Sequence, residues 1–506
     1  MPDITWPSGG VDRAFGFHQQ PPYTTYDARN VRTIDVFDNR ARGGVRPGVT
    51  KHHATQFGSG NPVRALVKTA IPTTGVPILV LVSNGTLRYE TAIGTWSGTV
   101  HSPTGASNTG RICIANMGDI TYFLQAGQTY PFYFDASSNN ASGFSNASGD
   151  VATLGQVPSN CKAIAQHLGR LYMSAKSDAP RAYFGCKIDT PVNWLVDGLA
   201  RDHAFSGSYT VRGATNDVVT ALIPWAEDNM LFCGKSSMKI LYGDPMYTGY
   251  FRDYSFTFGS HDAMSWCRGP GNAIYLMNSA GLIRCRPGQA PELLSTKVRK
   301  LLAGIDPATY EISMGWDVRR ELIRIAITKT SSSAGVLHWC LDLRTDALWP
   351  DTCHVDVEPF CFCHYPELTD VGTDLIYGTR TGYVRRDSDS TATDDGNNFD
   401  SYIMLGPFTP FKDGYYDGIV DQVIGRLAES SGSANFSVHV GDTADEAAAA
   451  SAWYTATLAA GFNPTEWVQA RCCSFFIKVY GTAGTRWALE KLTVTTLPGD
   501  KARQLL

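Results

Sequence analysis

Apolar and polar positions alternate in seven stretches of the chain between about residues 60 and 390. In each stretch an apolar strand leads through a short polar turn into a second strand, which is the pattern of a β-hairpin. The seven stretches are ILVLVSNGTLRYE (78–90), DITYFLQAGQTYPFYFD (119–135), GRLYMSAKSDAPRAYFG (169–185), NMLFCGKSSMKILYG (229–243), AIYLMNSAGLIRCR (273–286), ELIRIAITKTSSSAGVLHWCLDL (321–343) and LIYGTRTGYVRRD (375–387). The pattern predicts an all-β fold.

The hairpins recur with a period near fifty residues. The turn glycines of three of them, Gly85, Gly281 and Gly382, are 196 and 101 residues apart, close to four and two such periods. Repeats of about 40 to 50 residues with a few strands each are typical of a β-propeller, because one blade alone cannot bury both faces of its sheet. A pair of antiparallel sandwiches is the alternative, but sandwiches have no reason to repeat at this period. We therefore expect a β-propeller of about seven blades, within a range of six to eight.

The pattern changes on both sides of the repeats. The first fifty-eight residues have almost no apolar periodicity, and Pro21-Pro22 and Gly43-Gly44 predict an extended arm with tight turns. Residues 387–401 carry five acids and no base, which predicts an exposed loop or a domain boundary. Strand-like segments after this stretch predict a β-sandwich. The expected domains are an extended N-terminal arm (1–58), a β-propeller (59–390) and a C-terminal β-sandwich domain (391–506).

Two short helices interrupt the strands. Residues 293–306 carry apolar side chains at helical spacing and Gly304 as a stop signal, which predicts a connector on the propeller rim. Thr443 stands three positions before Glu446, the spacing of a capping box, and predicts a helix at the edge of the sandwich.

Composition and charge narrow the function classes. Of the 506 residues 43% are apolar, and the net charge is -4, so the chain lacks the basic balance that proteins use to grip nucleic acid. No signal peptide is predicted, and no window approaches eighteen consecutive apolar residues, so no membrane-spanning segment is expected. The twelve cysteines have irregular spacing, which indicates reduced, buried thiols.

Motifs for chemistry are few. The common nucleotide-binding, zinc-protease and serine-hydrolase motifs are absent from the sequence. The best candidate for zinc is Cys353-His354 with Cys361-Phe-Cys363-His364, but its spacing fits none of the usual ligand pairs. Asp387, Asp389 and Thr391 match the first positions of a calcium loop, whose later positions fail. We expect no metal and no cofactor.

A glycosidase would need two carboxylates that face each other across a central pocket. Four acids near the predicted blade ends are candidates: Asp189, Asp244, Asp306 and Asp342. Acids in turns more often bond their own backbone. We therefore expect no catalytic residues and no enzyme activity.

Short motifs at the start of the chain occur in a distinctive order: Gly9-Gly10-Val11, Gln19-Gln20-Pro21, Asn30-Val31 and Arg46-Pro47-Gly48. This order resembles the opening of the tail nozzle (tail tubular, or tail hub) proteins of short-tailed, podovirus-type bacteriophages. LLSTKVRKLLAG and GVLHWCLDLRTDALW resemble later segments of the same family. The spacer between Val11 and Gln19 is longer than the family pattern.

The resemblance implies a structural virion protein with an arm, a β-propeller and a place in the virion tail, made and assembled in the cytoplasm of the host bacterium. It implies a ring of copies, six in the family, below adaptor proteins attached to the portal, which anchors tail fibres or spikes. Such a ring retains the genome and lets double-stranded DNA pass at infection without reading its sequence. The arm residues expected at an interface with a neighbouring subunit or adaptor are Gln19, Gln20, Pro21, Asn30, Arg46 and Pro47.

Two other functions stay open from the residues alone. One is a propeller that binds or hydrolyses glycans. The other is a cellular scaffold propeller that binds peptides, although its Gly-His and Trp-Asp blade signatures are absent from the sequence.

Overall fold

The computed structural model describes residues 3–502, apart from 93, 104–109, 147–149, 199, 211–216, 303–304, 307, 332–336, 367–372 and 412–415. No helix within these ranges is long and apolar enough to span a membrane.

Seven antiparallel sheets follow one another along the chain, and each is a propeller blade. In chain order the blades are formed by β6–β9 (Val63–Ala70, Pro77–Ser83, Thr86–Ala92, Thr95–Trp96), β10–β13 (Ile112–Met117, Ile120–Gln125, Phe132–Asp135, Asn140–Gly143), β14–β17 (Ala163–His167, Arg170–Ser174, Ala182–Gly185, Phe205–Ser208), β18–β21 (Val219–Ala226, Asn229–Gly234, Met238–Tyr242, Tyr250–Ser255), β22–β25 (Trp266–Arg268, Ile274–Asn278, Gly281–Cys285, Glu292–Leu293), β26–β29 (Tyr310–Asp317, Leu322–Lys329, His338–Asp342, Ala347–Asp351) and β30–β32 (Pro359–Pro366, Thr373–Thr379, Val384–Ser388). Each of the seven hairpins expected from the sequence forms the second and third strands of one blade. The expectation of a propeller of about seven blades is confirmed.

The arm closes the ring by supplying the fourth strand of blade 7. The arm strands are β1 (Asp3–Ile4), β2 (Asp27–Arg29), β3 (Val31–Arg32), β4 (Gly44–Val45) and β5 (Gly48–Lys51). β5 pairs antiparallel with β32, and the short strands β33 (Thr393–Asp394) and β34 (Asn397–Asn398) extend the same sheet. Because residues from the two ends of the repeat share one sheet, the ring cannot open without breaking these hydrogen bonds.

Apolar cores lie between neighbouring blades. Blades 1 and 2, 2 and 3, 3 and 4, and 4 and 5 each share a buried cluster. Blade 7 packs on blade 1 through Tyr365 and Ile376 against Leu79 and Leu81. These inter-blade cores explain why a single blade would not be stable, since each sheet covers its neighbour.

The C-terminal strands form two facing sheets. The strands are β35 (Tyr402–Phe408), β36 (Tyr416–Leu427), β37 (Ala434–Gly441), β38 (Tyr454–Leu458), β39 (Glu466–Cys472), β40 (Ser474–Gly481) and β41 (Leu489–Ala502). The sheet orders are β1-β41-β36-β39 and β2-β35-β40-β37-β38, so the arm contributes an edge strand to each sheet. The expected β-sandwich is confirmed, and one continuous apolar core joins it to blades 5 and 6.

The helices are short. The α-helices span Val151–Leu154, Arg299–Leu302 and Ala444–Ala449, and the 3-10 helices span Phe17–Gln19, Gly58–Gly60, Pro270–Asn272, Thr296–Val298 and Val355–Val357. The capping box of Thr443 and Glu446 is present. The connector expected over 293–306 contains the helices Thr296–Val298 and Arg299–Leu302, and the Ser295 hydroxyl before them accepts from the Leu282 amide. The expected stop signal, Gly304, lies outside the described residues.

The acidic stretch 387–401 is not the exposed loop that its composition predicts. Asp394 is fully buried, and Asp387 bonds the phenol of Tyr377. Arg46 neutralises Asp394 and Arg324 neutralises Asp387. Because these arginines are distant in the sequence, the composition of the acidic stretch gives no sign of them.

Candidate functional site: the arm junction and the arm groove

Asn30 and Arg46 fasten the arm at the meeting point of blade 6, blade 7 and the sandwich. The Asn30 amide donates to the Thr352 hydroxyl (2.9 Å) and to the Asp400 carbonyl (2.6 Å). The Arg46 guanidinium donates to the Asn30 amide oxygen (3.0 Å) and to both carboxylate oxygens of Asp394 (2.8 and 2.9 Å). It also lies 3.7 Å from the centre of the Phe399 ring. A buried charge this well satisfied holds a single geometry.

A second buried ion pair lies beside this junction. Arg32 of β3 donates to both carboxylate oxygens of Asp351 in blade 6, at 2.7 and 2.5 Å. Burial alone would raise the pKa of Asp351, but Arg32 and Arg324 lower that pKa to about 2. The bidentate contact fixes the arm against the last strand of blade 6.

Three tryptophans join the same three parts of the chain. Trp6 of the arm lies 6.0 Å from Trp349 of blade 6 and 6.4 Å from Trp487 of the sandwich, measured between ring centres. Gly43 has φ +80°, and a Cβ at this position would overlap the Trp6 ring. The glycine therefore allows the close approach of backbone and indole that the junction requires.

The first part of the arm lines a groove against the sandwich, which we call the arm groove. Its volume is about 450 Å³. It is lined by Asp3–Thr5, Pro7, Phe17, His18 and Gln20–Thr24 of the arm, and by Leu405–Thr409 and Ser474 of the sandwich.

Two buried polar atoms in the arm groove have no hydrogen-bond partner among the described residues: the amide oxygen of Gln20 and the hydroxyl of Ser474. The Gln20 amide nitrogen donates to the Asp12 carbonyl and the Thr24 hydroxyl, which holds the side chain in place and leaves its oxygen free. Ser474 is 2% exposed. Buried polar groups usually have a hydrogen-bond partner, so these two atoms are candidates for contact with a ligand, a partner or ordered water.

The six residues expected at an interface fall into two groups. Asn30, Arg46 and Pro47 are buried, and their contacts lie within the chain, so the role that the structure gives them is internal fastening. Gln19 is exposed, while Gln20 and Pro21 are half-buried and line the arm groove. Contact with another subunit or an adaptor stays a prediction for all six residues, and the exposed and half-buried group is the one that such a partner could reach.

The centre of the propeller is crossed by charged side chains. Arg111, next to β10 in blade 2, reaches the Ser313 hydroxyl of blade 6 at 3.1 Å and Glu311 at 3.5 Å. Glu311 also pairs with Arg64 of blade 1 at 2.5 Å. Side chains from the non-neighbouring blades 2 and 6 thus contact each other across the centre of the propeller.

A pocket of about 910 Å³ opens between the inner strands of blades 5, 6 and 7. Its wall includes Trp266, Trp316 and Phe362, with Arg268 and His364 among the polar groups. The volume and the mostly apolar wall are typical of small-molecule or peptide sites.

The four candidate acids do not line this pocket. Asp244 pairs with the buried Arg170 at 2.8 Å, and Asp342 bonds Arg344 in its own turn. Asp306 accepts from the Ala308 amide and the Thr309 hydroxyl. The carboxylates of these three acids therefore take part in local structure.

The cysteine and histidine cluster has no arrangement for a metal in the described part of the chain. Cys361 and Cys363 are packed in blade 7, where burial raises the pKa of each thiol to about 12. The His354 ring nitrogen accepts from the Asp356 amide. In the calcium-like stretch, Asp387 pairs with Arg324 and Asp389 pairs with Arg320.

The strand order, the inter-blade cores and the second pair of sheets define a seven-bladed β-propeller protein with an attached β-sandwich. No family model and no curated protein matches the chain. Among solved structures it is similar to the extracellular domain of the hybrid two-component system BT3049 from B. thetaiotaomicron, with TM-score 0.42 and 11% identity over 76% of this chain and 46% of that one. The chain thus spans less than half the length of this match.

Two further solved structures each align with 67% of this chain. A streptogramin B lyase matches with TM-score 0.42 and 8% identity over 67% of this chain and 96% of that one. The Dos1 propeller matches with TM-score 0.38 and 10% identity over 67% and 95%. Likeness at this level concerns the fold and says nothing of a shared activity.

Proposed function

We propose that the chain is a structural protein of the tail nozzle, or hub, of a short-tailed bacteriophage. Copies of the chain would form a ring, six in the family that it resembles, which retains the genome, anchors tail fibres or spikes and lets DNA pass at infection. The proposal rests on the ordered motifs of the arm together with the contacts that these motif residues make.

The observation that carries the proposal is that three of the four arm motifs fasten the arm to the rest of the chain. Gly10 has φ +75° and packs on the Leu348 backbone, and the Val11 amide donates to the Leu348 carbonyl. Asn30 and Arg46 form the buried junction, and the Gly48 amide donates to the Thr391 carbonyl. Each of these three motifs thus has a physical reason for its residue type, so chance similarity is a weaker account of their shared order.

The architecture suits a mechanical role. One arm supplies strands to blade 7 and to both sheets of the sandwich, so pulling the propeller from the sandwich would require breaking the sheet hydrogen bonds that hold the arm on one side or the other. Because Arg111 and Glu311 join blades 2 and 6 across the centre of the propeller, DNA would pass along the axis of the ring of copies, outside each propeller.

The direct test is the assembly state of the full chain. Mass photometry of the purified protein, followed by rotational averaging of particle images, should show a closed ring, with six-fold symmetry as the leading expectation. A chain that stays monomeric both in solution and in mature particles would refute the proposal.

The second candidate is a glycan-binding propeller, favoured by the aromatic wall of the pocket between blades 5, 6 and 7. Aromatic rings with a few polar groups suit sugar stacking. Titration of the chain with bacterial cell-wall and capsular polysaccharides would test it: binding that Trp316→Ala abolishes supports this function, and no heat of binding argues against it.

A further inference from the structure

The two lateral edges of the sandwich carry complementary surfaces. One edge is formed by the arm strands β1 and β2, and the arm groove lies on this side, beside the C-terminal end of β35. The opposite edge is formed by β39 in one sheet and β38 in the other. The Tyr454 hydroxyl donates to the Glu466 carboxylate at 2.5 Å, which ties β38 to β39.

The edge at β38 and β39 exposes three large aromatic side chains, which we call the aromatic edge. Trp453 is 61% exposed, Phe462 72% and Trp467 58%. Phe462 faces Arg426 and Trp467 faces Gln422 on the neighbouring strand β36. Arg426 and Gln422 are four residues apart on β36, so the two rings that face them stand on the same side of the sheet, about 13 Å from each other. Single exposed apolar residues are ordinary, but three at one edge mark an interaction surface.

The aromatic edge and the arm groove match in chemistry. Each indole offers one N–H donor and no acceptor. The arm groove offers the unpaired oxygens of Gln20 and Ser474, with apolar walls from Pro21, Pro22 and Phe408. An aromatic side chain that enters the groove would thus bury its ring and satisfy a polar atom that the single chain leaves unpaired.

Burying three such side chains would cover about 300 to 500 Å² on one partner, a large share of the roughly 800 Å² per partner in a stable interface. The groove also exposes Tyr23, which is 64% exposed and holds φ +60°, a backbone conformation that is costly for a bulky residue. A partner that packs on Tyr23 would offset part of that cost.

We propose that the aromatic edge of one copy docks in the arm groove of the next copy. The inference rests on the proposed ring, and it specifies the contact that builds the ring. Because the two surfaces lie on opposite edges of the same sandwich, the contact is head-to-tail and would close into a ring when its rotation is right, whereas a two-fold dimer needs one self-complementary patch.

The experiment uses the full chain in two formats. In the first, mass photometry and sedimentation velocity compare the parent protein with the double variant Phe462→Ser/Trp467→Ser and with Gln20→Ala. The control is Phe256→Ser, which removes an aromatic residue that is 58% exposed in the propeller region. In the second, benzoylphenylalanine replaces Trp467, and the cross-linked peptide is identified by mass spectrometry.

We expect the double variant to need at least about 30-fold higher protein concentration to assemble, as for loss of an interface hot spot. The control should assemble like the parent, the double variant and the control should keep the parent melting temperature, and the cross-link should fall within residues 17–24 or 405–409. Rings that persist in the double variant, or cross-links elsewhere, would overturn this contact and leave the proposed ring function standing. A parent chain that stays monomeric without cross-links would overturn both.

Discussion

Replacing Arg46 with Met should uncouple the arm from the propeller and the sandwich. Arg46 is 2% exposed, and its guanidinium donates hydrogen bonds to Asn30, Asp394 and the Thr352 carbonyl. Met keeps much of the volume but leaves the fully buried Asp394 without its counter-charge. Within the described residues, the Asp394 carboxylate would then keep one hydrogen bond, from the backbone amide of His354 at 3.0 Å. Removing one partner of a buried ion pair costs about 3 to 5 kcal/mol.

The expected change in melting temperature follows from the size of the chain. With an unfolding entropy of about 2.1 cal/mol/K per residue, cooperative unfolding of 506 residues corresponds to about 1 kcal/mol per degree. A loss of about 4 kcal/mol therefore lowers Tm by about 4 °C, which calorimetry resolves. Urea titration followed by tryptophan fluorescence should show the same loss of unfolding free energy.

Two controls separate the buried charge from a general effect of losing an arginine. Arg426→Met removes an exposed ion pair with Glu429 and should cost at most about 0.5 kcal/mol. The double variant Arg46→Met/Asp394→Asn removes both buried charges and should recover at least about 1 kcal/mol of the single-variant loss. If Arg46→Met costs less than about 1 kcal/mol, or if the double variant is the less stable of the two, the account of the junction is wrong.

Three further outcomes follow from the structure. His52 follows the closing strand β5, and burial together with His53 lowers the pKa of its imidazole to about 3, whereas the unfolded chain takes up this proton below about pH 6.5. The free energy of unfolding should therefore fall as the pH drops from 6.5 to 3, by up to about 5 kcal/mol from His52. In urea titrations His52→Gln should flatten that part of the pH profile. Gly43→Ala should lower the unfolding free energy by about 2 to 4 kcal/mol, because the new methyl group overlaps the Trp6 ring, and a Tm equal to that of the parent would contradict this packing. Thiol titration with Ellman's reagent should be slow in the native chain, because ten of the twelve cysteines are buried, and should reach twelve free thiols in denaturant. Rapid labelling of more than about two thiols in the native chain would contradict the buried positions.

The sequence determined the repeat. All seven blades were recognisable because the second and third strands of a blade are joined by a short turn, so the pairing is local and shows in the alternation of apolar and polar residues. The capping box at Thr443 was recognisable for the same reason, since both of its partners lie within four residues. The arm motifs could also be located, although their partners could not.

Only the tertiary structure decided how the ring closes and what the arm does. β5 pairs with β32 across more than 330 residues, and four residues with ordinary composition carry no signal of so distant a partner. The same holds for Arg46 and Asp394: the acidic stretch looked solvated because counter-charges such as Arg46 and Arg324 lie far from it in the sequence. The arm groove and the aromatic edge likewise depend on which strands become the edges of the sandwich, and strand order is set by packing between segments that the local pattern does not connect.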